Sequence, residues 1–280
     1  MSPDGPPPAA ADEAPPDVPE GAGPPAALAE RVRSAAAWSA GLAWGVPWML
    51  GLTVGHRVLP RRWMRALEVP FVWGLLRAVG ARMHYHVDRA VDPRRPYMFV
   101  QNHVNHFDFV VLHNAVPHFT QGMNLRKHFR YPVYGWFMRA RGTLAVDETA
   151  GQFERLKGQM AAELAAGRSL LVFPEGHRTR TGRVGPLRSG VFRLARDLGV
   201  PVVPVSVVGT YDLMRKGSLE IRPGREVHVH VFAPRETAGL SDERLPELVE
   251  DVRRELSGPL DAWWVARGDG KRQARGRRLG

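Results

Sequence analysis

The chain has 280 residues, enough for one sizeable catalytic domain with appendages. It contains no cysteine, which excludes disulfides, thiolate metal sites and any covalent cysteine intermediate. The net charge is +11, with six acids and no Lys or Arg in the first 30 residues, so the remainder carries 39 basic against 22 acidic residues. That basic body suits an anionic partner: nucleic acid, a membrane surface or a phosphorylated ligand. Residues 1–33 are rich in Pro, Ala and acids and are expected to stay disordered, because they offer too little apolar surface to offset ordering entropy.

Residues 34–55 hold no Asp, Glu, Lys or Arg and include Trp38, Trp44 and Trp48. As a helix this run would be about 33 Å long, enough to reach across a bilayer core, although Gly41, Gly45, Gly51 and Pro47 weaken it. No basic leader opens the chain, so a removable signal peptide is not expected. Arg57, Arg61, Arg62 and Arg65 follow, which by the positive-inside rule puts the body on the cytoplasmic face of the cell membrane. A second apolar helix over 63–83, kinked near Pro70 and framed by arginines, reads as lying among lipid headgroups. Residues 34–82 are thus expected to be a two-helix membrane-associated segment.

From residue 83 to 257 short apolar runs alternate with helical segments. Strands are expected at 97–101, 143–146, 169–173, 202–208 and 226–232. Helices are expected at 108–115, 127–140, 152–166, 190–198 and 242–256. The alternation predicts an α/β domain with a central, mostly parallel sheet flanked by helices. Residues 258–280 form a basic tail, expected to touch anionic lipid or nothing; no nucleic-acid fold accompanies it. His84 and His86, like His228 and His230, alternate with apolar neighbours and read as solvent faces of strands, not metal ligands.

Two turns carry chemistry. Asn102, His103 and Asp108 follow the first strand. A continuous helix would not align residues five apart, but a strand turning into a helix can place Asp108 behind one ring nitrogen of His103, leaving the other to take a proton from an alcohol. The plainer alternative is a structural His–Asp pair. Phe173, Pro174, Glu175, Gly176 and Arg178 end a second strand, and Arg178 suits a phosphate; the plainer alternative there is an exposed turn. If both strands are parallel, the turns share one edge, where ligands of open α/β sheets bind. A metal site from His103, His106, Asp108 and His177 fits no common signature.

These blocks resemble the glycerophospholipid acyltransferase family. Its NHxxxxD block is met by Asn102, His103 and Asp108, and its FPEGxR block by residues 173–178. A second block is partly met from Gly142 to Asp147, with Glu148 where Arg is usual, and a VPxxPV strand is met at 200–205. The resemblance implies an enzyme that moves a fatty acyl group from acyl-CoA or acyl-carrier protein to the sn-2 hydroxyl of a 1-acyl-glycerol-3-phosphate, on a membrane, with no metal or tightly bound cofactor. It implies His103 as general base and Asp108 as its orienter. Asn102, Lys127, Gly142, Asp147, Glu175, Gly176 and Arg178 are implied around the substrates, and backbone amides after Asn102 as oxyanion donors. Other lysolipid or hydroxy-lipid acceptors, a metal-dependent lipid hydrolase and a non-enzymatic binder remain as alternatives.

Overall fold

A computed structural model describes residues 28–146 and 152–268. The expected disorder of the acidic leader, most of the basic tail, and the positions of Asp147 and Glu148 lie outside the described residues.

Two helices open the structure, α1 (Leu28–Val58) and α2 (Arg61–Ala78), the second continuous through Pro70. Their packing explains the glycines. Gly41 and Gly45 of α1 are buried, and a β-carbon on either would sit in ordinary contact with Leu75 of α2. Gly74 of α2 leaves room for the Trp44 ring, whose Nε1 donates to the Phe71 carbonyl at 3.0 Å. Trp38, Trp44 and Trp48 pack inward against the core, so they are not an interfacial belt. Among the described residues no helix is long and apolar enough to cross a membrane, which corrects the reading of 34–55 as a potential span. One side of α1 packs on protein, while Leu42, Val54 and Val58 of the same helix stay exposed.

The sheet has seven strands in the order β1-β7-β6-β2-β5-β3-β4: β1 (Arg82–Val87), β2 (Met98–Gln101), β3 (Thr120–Leu125), β4 (Leu144–Val146), β5 (Ser169–Val172), β6 (Val202–Val208) and β7 (Glu226–Val231). Strands β2 to β6 are mutually parallel; β7 meets β6 antiparallel and β1 lies parallel to β7. Every residue of β2, β5 and β6 is buried, as expected where helices cover both faces. One face packs under α1 and α2. The other is covered by α5 (Gln152–Ala165), α6 (Ser189–Asp197) and α8 (Leu245–Ala266), the last through Leu245, Leu248, Val252, Leu256 and Leu260.

Three expectations shift. β3 is a strand that the apolar runs did not mark, because it reads Thr-Gln-Gly-Met-Asn-Leu, and β1, marked only by the alternation around His84 and His86, runs from Arg82 to Val87. The helix expected over 127–140 splits into a 3-10 turn, Arg126–Arg130, and α4, Tyr134–Arg141. The break falls at Pro132 and Val133, the latter at φ +59°, a conformation a β-branched residue rarely adopts. α8 continues to Ala266, beyond the expected end at 256.

Candidate active site

β2 and β5 are neighbours paired with an offset of 72, Met98 beside Leu170 and Val100 beside Val172. Their chains continue side by side into the two turns at the same offset. His103 N donates to Glu175 Oε1 at 2.8 Å, and His106 Nε2 lies 3.0 Å from Arg178 Nη1. β2 leads on to β3 beyond β5, whereas β5 leads back to β6 on the far side of β2. The turns therefore flank the crevice where strand order reverses, the usual ligand site of such sheets.

Asp108 opens the short helix α3 (Asp108–Val111) and is completely buried. Its Oδ2 accepts from His103 Nδ1 at 2.8 Å, from Asn105 N at 2.9 Å and from Val104 N. With Nδ1–H given to the carboxylate, Nε2 is the lone-pair nitrogen of His103. The ring stacks on Phe173 at 4.0 Å, so a residue of the second block sets its tilt. The side chain stays 16% exposed, open to a substrate.

Both carboxylate oxygens of Glu175 are taken by backbone amides. It is buried, with Oε1 on the His103 amide and Oε2 on the Gly185 amide at 2.8 Å. Burial raises its carboxyl above the ordinary value, with those two amides opposing the rise. Its work is to fasten the two turns together. Asn102 is likewise spent on structure, since its side-chain amide both donates to Val207 O at 3.0 Å and accepts from Val207 N at 2.7 Å. The amides of His103, Val104 and Asn105 are all committed to carboxylates, so they are not the oxyanion donors expected after Asn102.

Gly176 turns at φ +74°, where a β-carbon would press on the Arg188 guanidinium. Gly142 ends α4 at φ +82° and gives its carbonyl to Gln121 Nε2. Both shape turns; neither offers a functional group. Arg178 is half-buried, and Lys216 Nζ holds its carbonyl at 3.0 Å. Lys127 is exposed in the 3-10 turn after β3. Burial lowers His106 and His128 below the ordinary imidazole value; Arg178 lowers both further, and Lys127 adds to the fall at His128. Arg178 and Lys127 thus put a cationic rim on one side of the His103 cleft. The residues once considered for a metal do not converge: His103 Nδ1 is held by Asp108, and His106 faces Arg178.

Sequence reasoning missed the cavity beside this site. It has a volume of about 270 Å³ and runs between α1, α2 and α4, lined by Gly41, Gly45, Phe71, Leu75, Phe109 and Phe137 among others. Phe109 and His106 bring its wall to the cleft, the Phe109 ring lying 6.2 Å from that of His103. The inward tryptophans and the helix glycines were its only sequence signal. At its polar end Glu68, His113 and Arg141 line the wall. Arg141 Nε bonds Glu68 Oε1 at 2.9 Å, and His56 Nε2 reaches the same oxygen at 2.9 Å. Burial alone would raise Glu68, but Arg141, His56 and His113 outweigh it and hold the carboxyl down to about 2. Burial pushes His113 down to about 4, against the pull of Glu68.

Residues 82–208 match the family model described as Acyltransferase. The chain is 28% identical over 157 residues to the 1-acyl-sn-glycerol-3-phosphate acyltransferase of Cocos nucifera, covering 55% of this chain and 51% of that protein. It is 33% identical over 141 residues to the chloroplastic 1-acyl-sn-glycerol-3-phosphate acyltransferase BAT2 of Brassica napus, covering 50% and 40%. It is 27% identical over 178 residues to the lyso-ornithine lipid O-acyltransferase of Pseudomonas aeruginosa, covering 58% and 68%. The chain spans about half the length of the first two relatives. In fold it is similar to the crystal structure of the 1-acyl-sn-glycerophosphate acyltransferase PlsC from Thermotoga maritima, with a TM-score of 0.70 at 21% identity over 82% of this chain and 95% of that one. The sequence blocks, the turns they build and these relatives thus agree in making residues 82–208 of the chain similar to the acyltransferase family.

Proposed function

We propose that the chain is an O-acyltransferase that moves a fatty acyl group from an acyl thioester, acyl-CoA or acyl-carrier protein, to the sn-2 hydroxyl of a 1-acyl-glycerol-3-phosphate at a membrane surface. The observation that carries this reading is the buried Asp108 behind His103, beside an apolar cavity and under a cationic rim. Asp108 keeps the proton on Nδ1, so Nε2 takes the acceptor's hydroxyl proton as the alcohol oxygen adds to the thioester carbonyl. The imidazolium then returns that proton to the departing sulfur. No protein nucleophile is needed. The cavity suits an acyl chain, and Arg178 suits the acceptor phosphate, with Lys127 and Lys216 nearby.

A second acceptor reading rests on the relative whose printed name is lyso-ornithine lipid O-acyltransferase. It keeps the dyad and changes only the headgroup. The test is a panel of lysophosphatidate, monoacylglycerol and lyso-ornithine lipid with labelled acyl-CoA. Arg178→Ala is expected to raise KM for lysophosphatidate about 10-fold or more, the loss of one charge-assisted contact, with little effect on monoacylglycerol. Wild-type preference for a phosphate-free acceptor, with Arg178→Ala hurting all acceptors alike, would replace the phosphatidate assignment with the second reading.

A further inference from the structure

Four histidines stand apart from the dyad site. β1 carries His84 and His86, β7 carries His228 and His230, and the parallel register sets His84 beside His228 and His86 beside His230. Residues two apart in a strand share a face, so all four imidazoles gather on one patch at the sheet edge. The rings stack across the strands, His84 on His228 at 4.6 Å and His86 on His230 at 4.5 Å. One ring nitrogen each of His86, His228 and His230 lie within 4.8 Å of one another, and so do the ligand atoms of His84, Glu226 and His228.

Distances favour a shared ion. His86 Nε2 is 3.3 Å from His228 Nδ1. Two nitrogens bound to one tetrahedral zinc at about 2.0–2.1 Å would stand roughly 3.4 Å apart. The stacked rings must turn to aim their lone pairs, and the histidine χ2 torsion is soft enough to allow it. His84 and His86 are exposed while His228 and His230 are half-buried, so a cation can enter and be partly enclosed. Trp263 walls the patch, its ring 5.7 Å from that of His228. Imidazoles with one carboxylate suit borderline divalent ions over magnesium or calcium.

We propose that this patch binds a divalent d-block cation of the zinc or nickel class through His86, His228 and His230, with His84 and Glu226 in support. β1 is the edge strand that leads from α2 into the sheet, so the ion ties that strand to β7. The rival account is a hydrogen-bonded ladder of imidazoles that holds no metal.

The test uses the full chain, purified without a histidine tag, stripped with EDTA and titrated with zinc chloride. Bound zinc is counted by elemental analysis, and Tm is followed against zinc concentration. Wild type is expected to retain about one zinc per chain and to gain Tm as zinc rises. The double variant His86→Gln/His228→Gln should lose that zinc or bind it about 10-fold or more weakly, the scale of a damaged coordination shell. Its Tm in EDTA and its basal turnover should match wild type, which shows that folding and the dyad are intact. His103→Gln should keep the zinc. The proposal is overturned if wild type retains none, if the double variant retains as much as wild type, or if the ion is lost with His103→Gln.

Discussion

At the scale of single residues, one carboxylate does two jobs. Asp108 orients His103, and it also collects the amides of Val104 and Asn105 at the turn. The two roles separate on mutation. His103→Ala removes the proposed base while the turn keeps its acceptor, so turnover should fall by about 10²–10⁴ with Tm almost unchanged. Asp108→Ala leaves buried donors without a partner, at about 1–3 kcal/mol each, so it should lose both activity and several degrees of Tm. Steady-state rates and thermal unfolding of the two variants check this; near-wild-type turnover of folded His103→Ala would refute the proposed base. Asp108 and His103 were legible from their block. The structural duties of Asn102 and Glu175 were not, because a motif names residues without saying which of them touch backbone.

At the scale of elements, the two opening helices are held by close approach. A β-carbon at Gly74 would stand 2.1 Å from the Trp44 ring, while one at Gly51 would meet nothing within 4 Å. Gly74→Ala should therefore destabilise by about 1–3 kcal/mol, the usual cost of overpacking. Gly51→Ala should stabilise by up to about 1 kcal/mol through helix propensity. Denaturant midpoints distinguish them, and equal effects of both would mean that Trp44 is not seated against Gly74. Arg65, expected to reach lipid phosphates, instead folds onto the carbonyls of His113, Val116 and His118, the second at 2.5 Å. A basic residue's partner is chosen by what packs beside it, and sequence does not show that.

At the scale of the whole molecule, large apolar side chains of α1 and α2 remain exposed. Val58, Trp63, Trp73 and Leu42 are each more than half exposed, and Arg57, Arg61 and Arg62 lie among them. Exposed tryptophans with neighbouring arginines fit docking on an anionic bilayer. Trp63→Ala/Trp73→Ala should weaken co-sedimentation with anionic vesicles by about 100-fold or more, taking about 1.5–3 kcal/mol for each buried aromatic; undiminished binding would place the docking surface elsewhere. The buried cluster under α2 predicts acid sensitivity. His113 is held near 4 when folded against an ordinary 6.5, so between those values the unfolded chain binds the extra proton and stability falls as pH drops. Glu68, held near 2 against 4.5, continues the loss below 4.5. Each is worth on the order of 3 kcal/mol at its limit. Tm should decline from pH 6.5 downward, and His113→Gln should flatten the part between 6.5 and 4. An unchanged slope in that variant would remove His113 from the account.

Local pattern by itself determined the α/β class, the strands β2, β5 and β6, and the residues of the two turns. Each of these rests on short-range causes: apolar runs that need burial on both faces, and Pro or Gly at a strand end. Tertiary structure alone decided what those residues meet. Strand register, with its offset of 72 between β2 and β5, brought Glu175 to the His103 amide. The same kind of pairing between β1 and β7 gathered four histidines that looked like ordinary solvent-facing positions in each strand. The polar strand β3, the cavity and the fate of α1 were also decided there. A helix shows one sequence whether its apolar side meets lipid or protein, and only the partner's position distinguishes the two.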